Sequence, residues 1–197
     1  MLIVVRHGST DHNSDDGGGE KTRGHLPIPL SLDGMKESRE TAESLGSVED
    51  VSALYTSDLV RAVQSAEEIA QVLSMEIEPR EELRDWDIGD HEGLSVKSTL
   101  PHLHALIDTP KKKAPGGEAY QDFLDRSVPF IKDLVESKNL YIAVTHNRVT
   151  TLISALAKNK GDHPATATLK SKGPIDPGGI LILGHDWSIK YTTGSKG

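Results

Sequence analysis

The 197-residue sequence contains no cysteine. Disulfide frameworks and thiolate metal sites are thereby excluded, and the composition fits a reducing, cytoplasmic compartment. Long apolar runs are also missing. A membrane-spanning helix needs roughly 20 apolar residues and a secretory signal an apolar core of roughly 7–15. Here the first apolar run, residues 2–5, stops at Arg6. The expectation is a chain with neither targeting signal nor membrane partner. Positive charge is in deficit: 22 Lys and Arg face 30 Asp and Glu, for a formal net charge of -8. That balance disfavours general nucleic-acid or anionic-membrane binding. An anionic substrate would bind only where arginines locally reverse the field.

What is present is an alternation of apolar runs and amphipathic stretches. Residues 2–5, 51–55, 75–78 and 140–144 read as strands, with helical spacing over 32–45, 59–73, 96–107, 118–137 and 149–157. Ser57 or Asp58 is positioned to cap the second helix. Pro101 is expected to break the start of the third helix, and Pro129 to kink or divide the fourth. Residues 180–183 and 188–191 read as a closing hairpin. No repeat or linker interrupts the chain, so residues 1–197 are expected to form one domain. The alternation predicts an α/β three-layer sandwich with a mostly parallel central sheet. In such sheets ligands bind beyond the carboxyl ends of the strands.

Two sequence-distant strands end there in histidine, at Arg6-His7-Gly8 and Thr145-His146. Arg61 lies in the first turn of the helix that follows the strand at 51–55. Helical side chains lean toward the helix N-terminus, so Arg61 can reach back over the same sheet edge. Arginine forks match the equatorial oxygens of a phosphoryl group in transfer. A neutral imidazole can attack phosphorus when its other nitrogen is held as a donor. Gly8 would let the backbone approach the substrate closely. No one of these residues is telling alone; their joint placement is.

The residues also carry a family resemblance. Arg6-His7-Gly8-Ser9-Thr10 with Asn13 resembles the RHGxT…N opening of the histidine phosphatase superfamily, in its phosphoglycerate mutase-like branch. Pro29-Leu30-Ser31 with Gly34, the 57–66 stretch SDLVRAVQSA, the 83–93 stretch LRDWDIGDHEG, Pro115-Gly116-Gly117-Glu118 with Arg126, and Val144-Thr145-His146 follow in family order. The resemblance implies a phosphoglycerate mutase-like fold and a phosphohistidine formed on His7. It implies a phosphate pocket of Arg6, Arg61 and His146, with Asn13 and Gly24 adding contacts. No metal or organic cofactor is implied, and the partner would be a small phosphorylated substrate. Residues 94–126 would be the substrate-specificity insertion.

The sequence departs from the family at named positions. Asp85 stands where the proton-donating glutamate is usual, with Asp87, Asp90 and Glu92 as neighbouring fallbacks. Asn147 stands where glycine usually follows the second histidine. Arg23 precedes Gly24, either adding a positive charge to the pocket or facing solvent. The 15–22 stretch DDGGGEKT superficially resembles a phosphate-binding loop, but Asp15 and Glu20 occupy the positions that need glycine, so a loop beside the site is expected. His102 and His104, two apart on a helix, do not form a zinc pair. Mutases of the family carry a paired-arginine segment; between Gly93 and Gly117 the basic residues here are lysines and two histidines. The expectation is a phosphoric monoester hydrolase, with a mutase or a weakly catalytic phosphate-binding protein as alternatives. Oligomeric state and natural substrate are not readable.

Overall fold

The computed structural model describes residues 1–13, 19–162, 169–171 and 173–193. Part of the glycine-rich 15–22 loop and the middle of the 161–179 loop therefore lie outside the described residues. Six strands form one sheet: β1 (Leu2–Arg6), β2 (Val51–Thr56), β3 (Ile77–Pro79), β4 (Leu140–Thr145), β5 (Ile180–Leu183) and β6 (Ile189–Thr192), in the order β3-β2-β4-β1-β5-β6. The first four in that order are parallel, and β5 and β6 add an antiparallel hairpin. Among the described residues five α-helices join them: α1 (Leu32–Ser44), α2 (Val60–Leu73), α3 (Val96–Asp108), α4 (Tyr120–Glu136) and α5 (Asn147–Lys158).

The layering follows from the period-2 alternation of strand side chains. Ile3, Val5, Ile142 and Val144 pack with Ala42 and Leu45 near α1 and with Ala62, Ala66 and Ile69 of α2. Leu2, Val4 and Ala143 point the other way, into a core with Phe123 and Ile131 of α4 and Val149 and Leu152 of α5. Strands buried on both faces read as continuous apolar runs, as parallel sheets require. The three-layer α/β/α architecture is the one expected. No helix among the described residues is long and apolar enough to cross a membrane.

Two local expectations are corrected: the prolines divide neither helix, and neither Ser57 nor Asp58 caps α2. Both α3 and α4 run uninterrupted through Pro101 and Pro129. Each proline sits on an exposed helix face, where water can take the carbonyl the missing N–H leaves free. Neither Ser57 nor Asp58 caps α2; the cap position is Leu59. Ser57 turns inward to His146, and Asp58 pairs with Arg84. Gly8 has a packing role that the sequence did not show. A Cβ there would lie 2.2 Å from the Gly34 carbonyl oxygen, and one at Gly34 would lie 1.9 Å from that of Ser9. The turn after β1 and the first turn of α1 thus touch backbone to backbone, which only two glycines allow.

Candidate active site

Register places the two histidines side by side. The last paired residues of β1 and β4 are Arg6 and Thr145, so His7 and His146 come next on adjacent parallel strands. His7 extends the Ile3, Val5 row and His146 the Ile142, Val144 row, both toward the α2 face. Their ring centroids are 5.0 Å apart. Arg61, the second residue of α2, is fully buried and reaches the same point.

Three contacts fix Arg61. Its Nε donates to His7 Nε2 at 3.3 Å, Nη1 to the Leu26 carbonyl at 3.0 Å and Nη2 to the Gly24 carbonyl at 2.7 Å. Arginine only donates, so His7 Nε2 is the acceptor and carries no proton. The proton is then on Nδ1, which donates to the Gly8 carbonyl at 2.6 Å. Burial first, then the charges of Arg61, Arg23 and Arg6, hold the His7 pKa well below its ordinary value. The structure thus presents a neutral imidazole with a lone pair on Nε2.

His146 is equally buried, and its pKa is also held well below the ordinary value, by burial and then by Arg61. Its Nε2 meets Ser57 Oγ at 2.8 Å, and Ser57 Oγ accepts the Leu59 N–H at 3.3 Å. With the serine proton directed at Nε2, His146 Nδ1–H is left as a donor, and that atom is buried with no partner among the described residues. Arg6 Nε and Arg23 Nη1 are unpartnered in the same way. Arg6 Nη1 is anchored on the Ile175 carbonyl at 3.0 Å. Burial, with the charge of Arg23, lowers the Arg6 pKa to about 10, and burial lowers that of Arg61 to about 10. Both remain cations at neutral pH, in a chain of net charge -8.

A cavity of about 280 Å³ adjoins this cluster. Arg23, Gly24, Asp85 and Asn147 are among its lining residues; His7, Arg6, Arg61 and His146 are nearly sealed from solvent, and Arg61 joins them to the cavity wall through the Gly24 carbonyl. Of the two readings of Arg23, the structure gives the inward one: its charge acts on both histidines and both buried arginines. Asp85 lines the cavity, whereas Asp87, Asp90 and Glu92 do not. The Asp85 carbonyl is held by His25 Nε2 at 2.8 Å and Arg126 Nη2 at 3.3 Å, and its Oδ1 accepts the Trp86 N–H at 3.0 Å. Glu92 is a strut: Oε1 accepts the His25 N–H at 2.6 Å. Asn13 closes a turn, its Oδ1 accepting the Thr10 N–H at 2.9 Å. Asn147 fits because its neighbour is Gly173, where a Cβ would lie 1.8 Å from Asn147 Oδ1.

Sequence reading missed Ser57 and His25. Ser57 lay inside a quoted motif but was taken for a helix cap, and His25 follows Gly24 in a loop with no periodicity to mark it.

The two imidazoles impose a pH dependence on stability. In the unfolded chain each protonates as pH falls through about 6.5; in the folded protein neither does so until well below that value. The unfolded state therefore binds more protons, and stability present above pH 6.5 is lost as the pH drops. Each imidazole contributes a slope of about 1.4 kcal/mol per pH unit below its unfolded pKa. Urea unfolding at pH 7, 6 and 5 is expected to show this decline, and His7→Gln to make it shallower by one proton. An unchanged slope in His7→Gln would show that His7 protonates freely in the folded state.

Comparison with known proteins places this geometry. Residues 2–171 match the family model of the histidine phosphatase superfamily, branch 1. Phosphoglycerate mutase-like protein 4 of Arabidopsis thaliana is 27% identical over 157 residues, covering 75% of this chain and 66% of that protein. Glucosyl-3-phosphoglycerate phosphatase of Mycobacterium tuberculosis is 30% identical over 141 residues, covering 70% of this chain and 61% of that protein. The chain thus spans slightly under two thirds of these relatives' length. Among solved structures, the alpha-ribazole phosphatase from Shigella flexneri shares the fold with a TM-score of 0.74 at 24% identity, covering 98% of this chain and 96% of its own. The ordered motifs, the paired strand-end histidines and the family match agree: this chain belongs to branch 1 of the histidine phosphatase superfamily.

Proposed function

We propose that this chain is a phosphomonoester phosphatase that works through a phosphohistidine on His7. The observation that carries the reading is the set of unpartnered buried donors, Arg6 Nε, Arg23 Nη1 and His146 Nδ1, grouped around a neutral imidazole. Buried donors without partners are costly, and a phosphoryl group supplies the oxygens they lack. Arg6, Arg23, Arg61 and His146 form the phosphate-binding set, joined by Asn13, Gly24 and Asn147. Residues 94–126 act as the specificity insertion of a single domain.

In the first step Arg61 Nε moves from His7 Nε2 to a phosphoryl oxygen, freeing the lone pair. Nε2 attacks phosphorus, the P–O ester bond breaks, and Asp85 gives its proton to the departing alcohol oxygen. Positive charge on the phosphorylated ring is stabilised by the Gly8 carbonyl at Nδ1. Asp85, now a carboxylate, takes a proton from water as the water attacks phosphorus. The N–P bond breaks, inorganic phosphate leaves, and His7 and Asp85 return to their starting states. Donors fixed in advance around the phosphoryl oxygens carry the largest share of the rate. The missing arginine pair between Gly93 and Gly117 and the phosphatase names of two of the relatives favour water over a second alcohol as acceptor.

The test is a phosphomonoester screen, with trapping of an acid-labile, alkali-stable phosphoenzyme from a labelled substrate. Turnover of a panel member with such an intermediate supports the reading. Formation of 2-phosphoglycerate from 3-phosphoglycerate would replace it with the mutase alternative, and inertness toward the whole panel with the binding protein.

The assignment of Asp85 has its own signature. Asp85→Asn is expected to slow hydrolysis of an alkyl phosphate by about a hundredfold or more, the usual scale of general acid catalysis. With p-nitrophenyl phosphate, whose leaving group needs little protonation, the loss should stay below about tenfold. Equal losses on both substrates would remove Asp85 from the acid role.

A further inference from the structure

The carbonyl that fixes the nucleophile belongs to a peptide held from its other side. His7 Nδ1 donates to the Gly8 carbonyl at 2.6 Å. That carbonyl lies in the peptide linking Gly8 to Ser9, and the N–H of the same peptide donates to Glu37 Oε2 at 2.7 Å. A trans peptide points its C=O and N–H in opposite directions, so the imidazole and the carboxylate sit on opposite sides of one planar group. Ser9 Oγ donates to the other carboxylate oxygen, Glu37 Oε1, at 3.0 Å. Glu37 is a half-buried residue of α1 to which no role has yet been given.

The turn does not depend on Glu37 for its shape. The His7 N–H donates to the Thr145 carbonyl at 2.9 Å, the Gly8 N–H to Ser65 Oγ at 3.1 Å, and the Ser31 N–H to the Ser9 carbonyl at 2.9 Å. Backbone contact between the turn and Gly34 of α1 adds a further constraint. What Glu37 adds is a negative charge at the end of a short series of bonds, from carboxylate to Ser9 N–H and from Gly8 carbonyl to His7 Nδ1–H. Hydrogen bonds in series polarise one another, and a bond to a charged acceptor is the stronger kind. The Gly8 carbonyl is thereby a better acceptor than an isolated amide. Its 2.6 Å bond to Nδ1 is shorter than the roughly 2.9 Å usual for N–H to oxygen, as that requires.

The charge is needed during the reaction. When Nε2 bonds to phosphorus and the ester P–O bond breaks, the ring becomes a cation with Nδ1 still protonated. It does so beside Arg61, Arg23 and Arg6, whose charges already oppose a charged His7. We propose that Glu37 is a positioning residue that acts through the Gly8–Ser9 peptide to stabilise the cationic, phosphorylated ring of His7; this rests on the phosphohistidine reading. No proton moves along the series. Nδ1 keeps its hydrogen, and the peptide transmits polarisation only. A carboxylate bonded directly to Nδ1 stabilises the imidazolium of a serine hydrolase in the same way; here one peptide intervenes, and the effect is smaller.

Glu37→Gln tests the proposal, because the amide oxygen still accepts the Ser9 N–H while the charge is lost. Glu40→Gln is the control: it removes the same charge from an exposed residue one turn further along α1, whose carboxylate faces Lys36. Phosphorylation of the enzyme by p-nitrophenyl phosphate is followed in a single turnover by rapid quench, and binding of inorganic phosphate by calorimetry. The His7 Nδ1–H resonance is read by NMR in resting, isotope-labelled protein and assigned against His7→Gln. Glu37→Gln is expected to be phosphorylated about tenfold more slowly, the scale of one charge-assisted bond, and to bind phosphate within about twofold of wild type. Its Nδ1–H resonance should move upfield, and Glu40→Gln should change none of the three. An unmoved resonance, an unchanged rate, an equal loss in Glu40→Gln, or a fall in phosphate affinity or melting temperature that matches the loss of rate each overturns the role of Glu37. An upfield shift in a protein whose wild type forms no phosphoenzyme overturns the phosphohistidine reading and leaves the coupling of Glu37 to His7 standing.

Discussion

His7→Ala is expected to abolish hydrolysis of p-nitrophenyl phosphate, by about ten-thousand-fold or more, and to remove the trapped phosphoenzyme. The size follows from covalent catalysis: without the nucleophile, water must attack the ester directly, and the two easier steps revert to one difficult step. A loss of that size corresponds to about 5.5 kcal/mol of transition-state stabilisation. The second imidazole cannot take over. His146 Nε2 is engaged by Ser57 at 2.8 Å, and its ring centroid lies 5.0 Å from that of His7. Alanine should be tolerated by the fold, since His7 is a polar group buried beside three cations rather than a core packing residue. Steady-state assays and phosphoenzyme trapping check the result. Residual turnover within a hundredfold of wild type would move the nucleophile elsewhere.

Arg61→Ala is expected to lower kcat/KM by about a thousandfold, or about 4 kcal/mol, while changing thermal stability little. The catalytic loss has three sources in one side chain. Arg61 holds His7 in its reactive tautomer, fixes the Leu26 carbonyl and that of Gly24, which lines the cavity, and supplies a desolvated positive charge. The stability terms oppose one another. Lowering the guanidinium from 12.5 to about 10 corresponds to a folding cost of about 3 kcal/mol at neutral pH. Its hydrogen bonds to buried carbonyls recover about 1.5–3 kcal/mol each. Removing both leaves a small balance, so activity and melting temperature should separate. Arg61→Lys should recover less than about a tenth of the lost activity, because an ammonium is a point charge that cannot span three acceptors. A melting temperature that falls in step with activity would make Arg61 a structural residue.

Most of the site was legible because its chemistry is encoded locally. A run of apolar residues ending in Arg6-His7 states both a strand and what lies at its end. The same holds for Val144-Thr145-His146, and Arg61 follows from the direction of helical side chains. What was not legible depended on contacts across the chain. Ser57 looked like a cap because serine before a helix usually is one; its partner is 89 residues away. Gly8 carries a second demand invisible in the sequence, the backbone of Gly34 packed against it. The two helix prolines failed as breakers because both lie on solvent-facing surfaces, which sequence periodicity did not weigh against the lost hydrogen bond.

The sequence by itself determined the α/β layering, the family and the pairing of two strand-end histidines, because strand and helix periods and a short ordered set of motifs depend on neighbours in the chain. Only the tertiary structure decided the inward charge of Arg23, the tautomer of His7 and which of four loop carboxylates faces the cavity. Each of those depends on a desolvated contact between distant segments, where burial and the field of neighbouring charges, rather than residue type, set what a group can do.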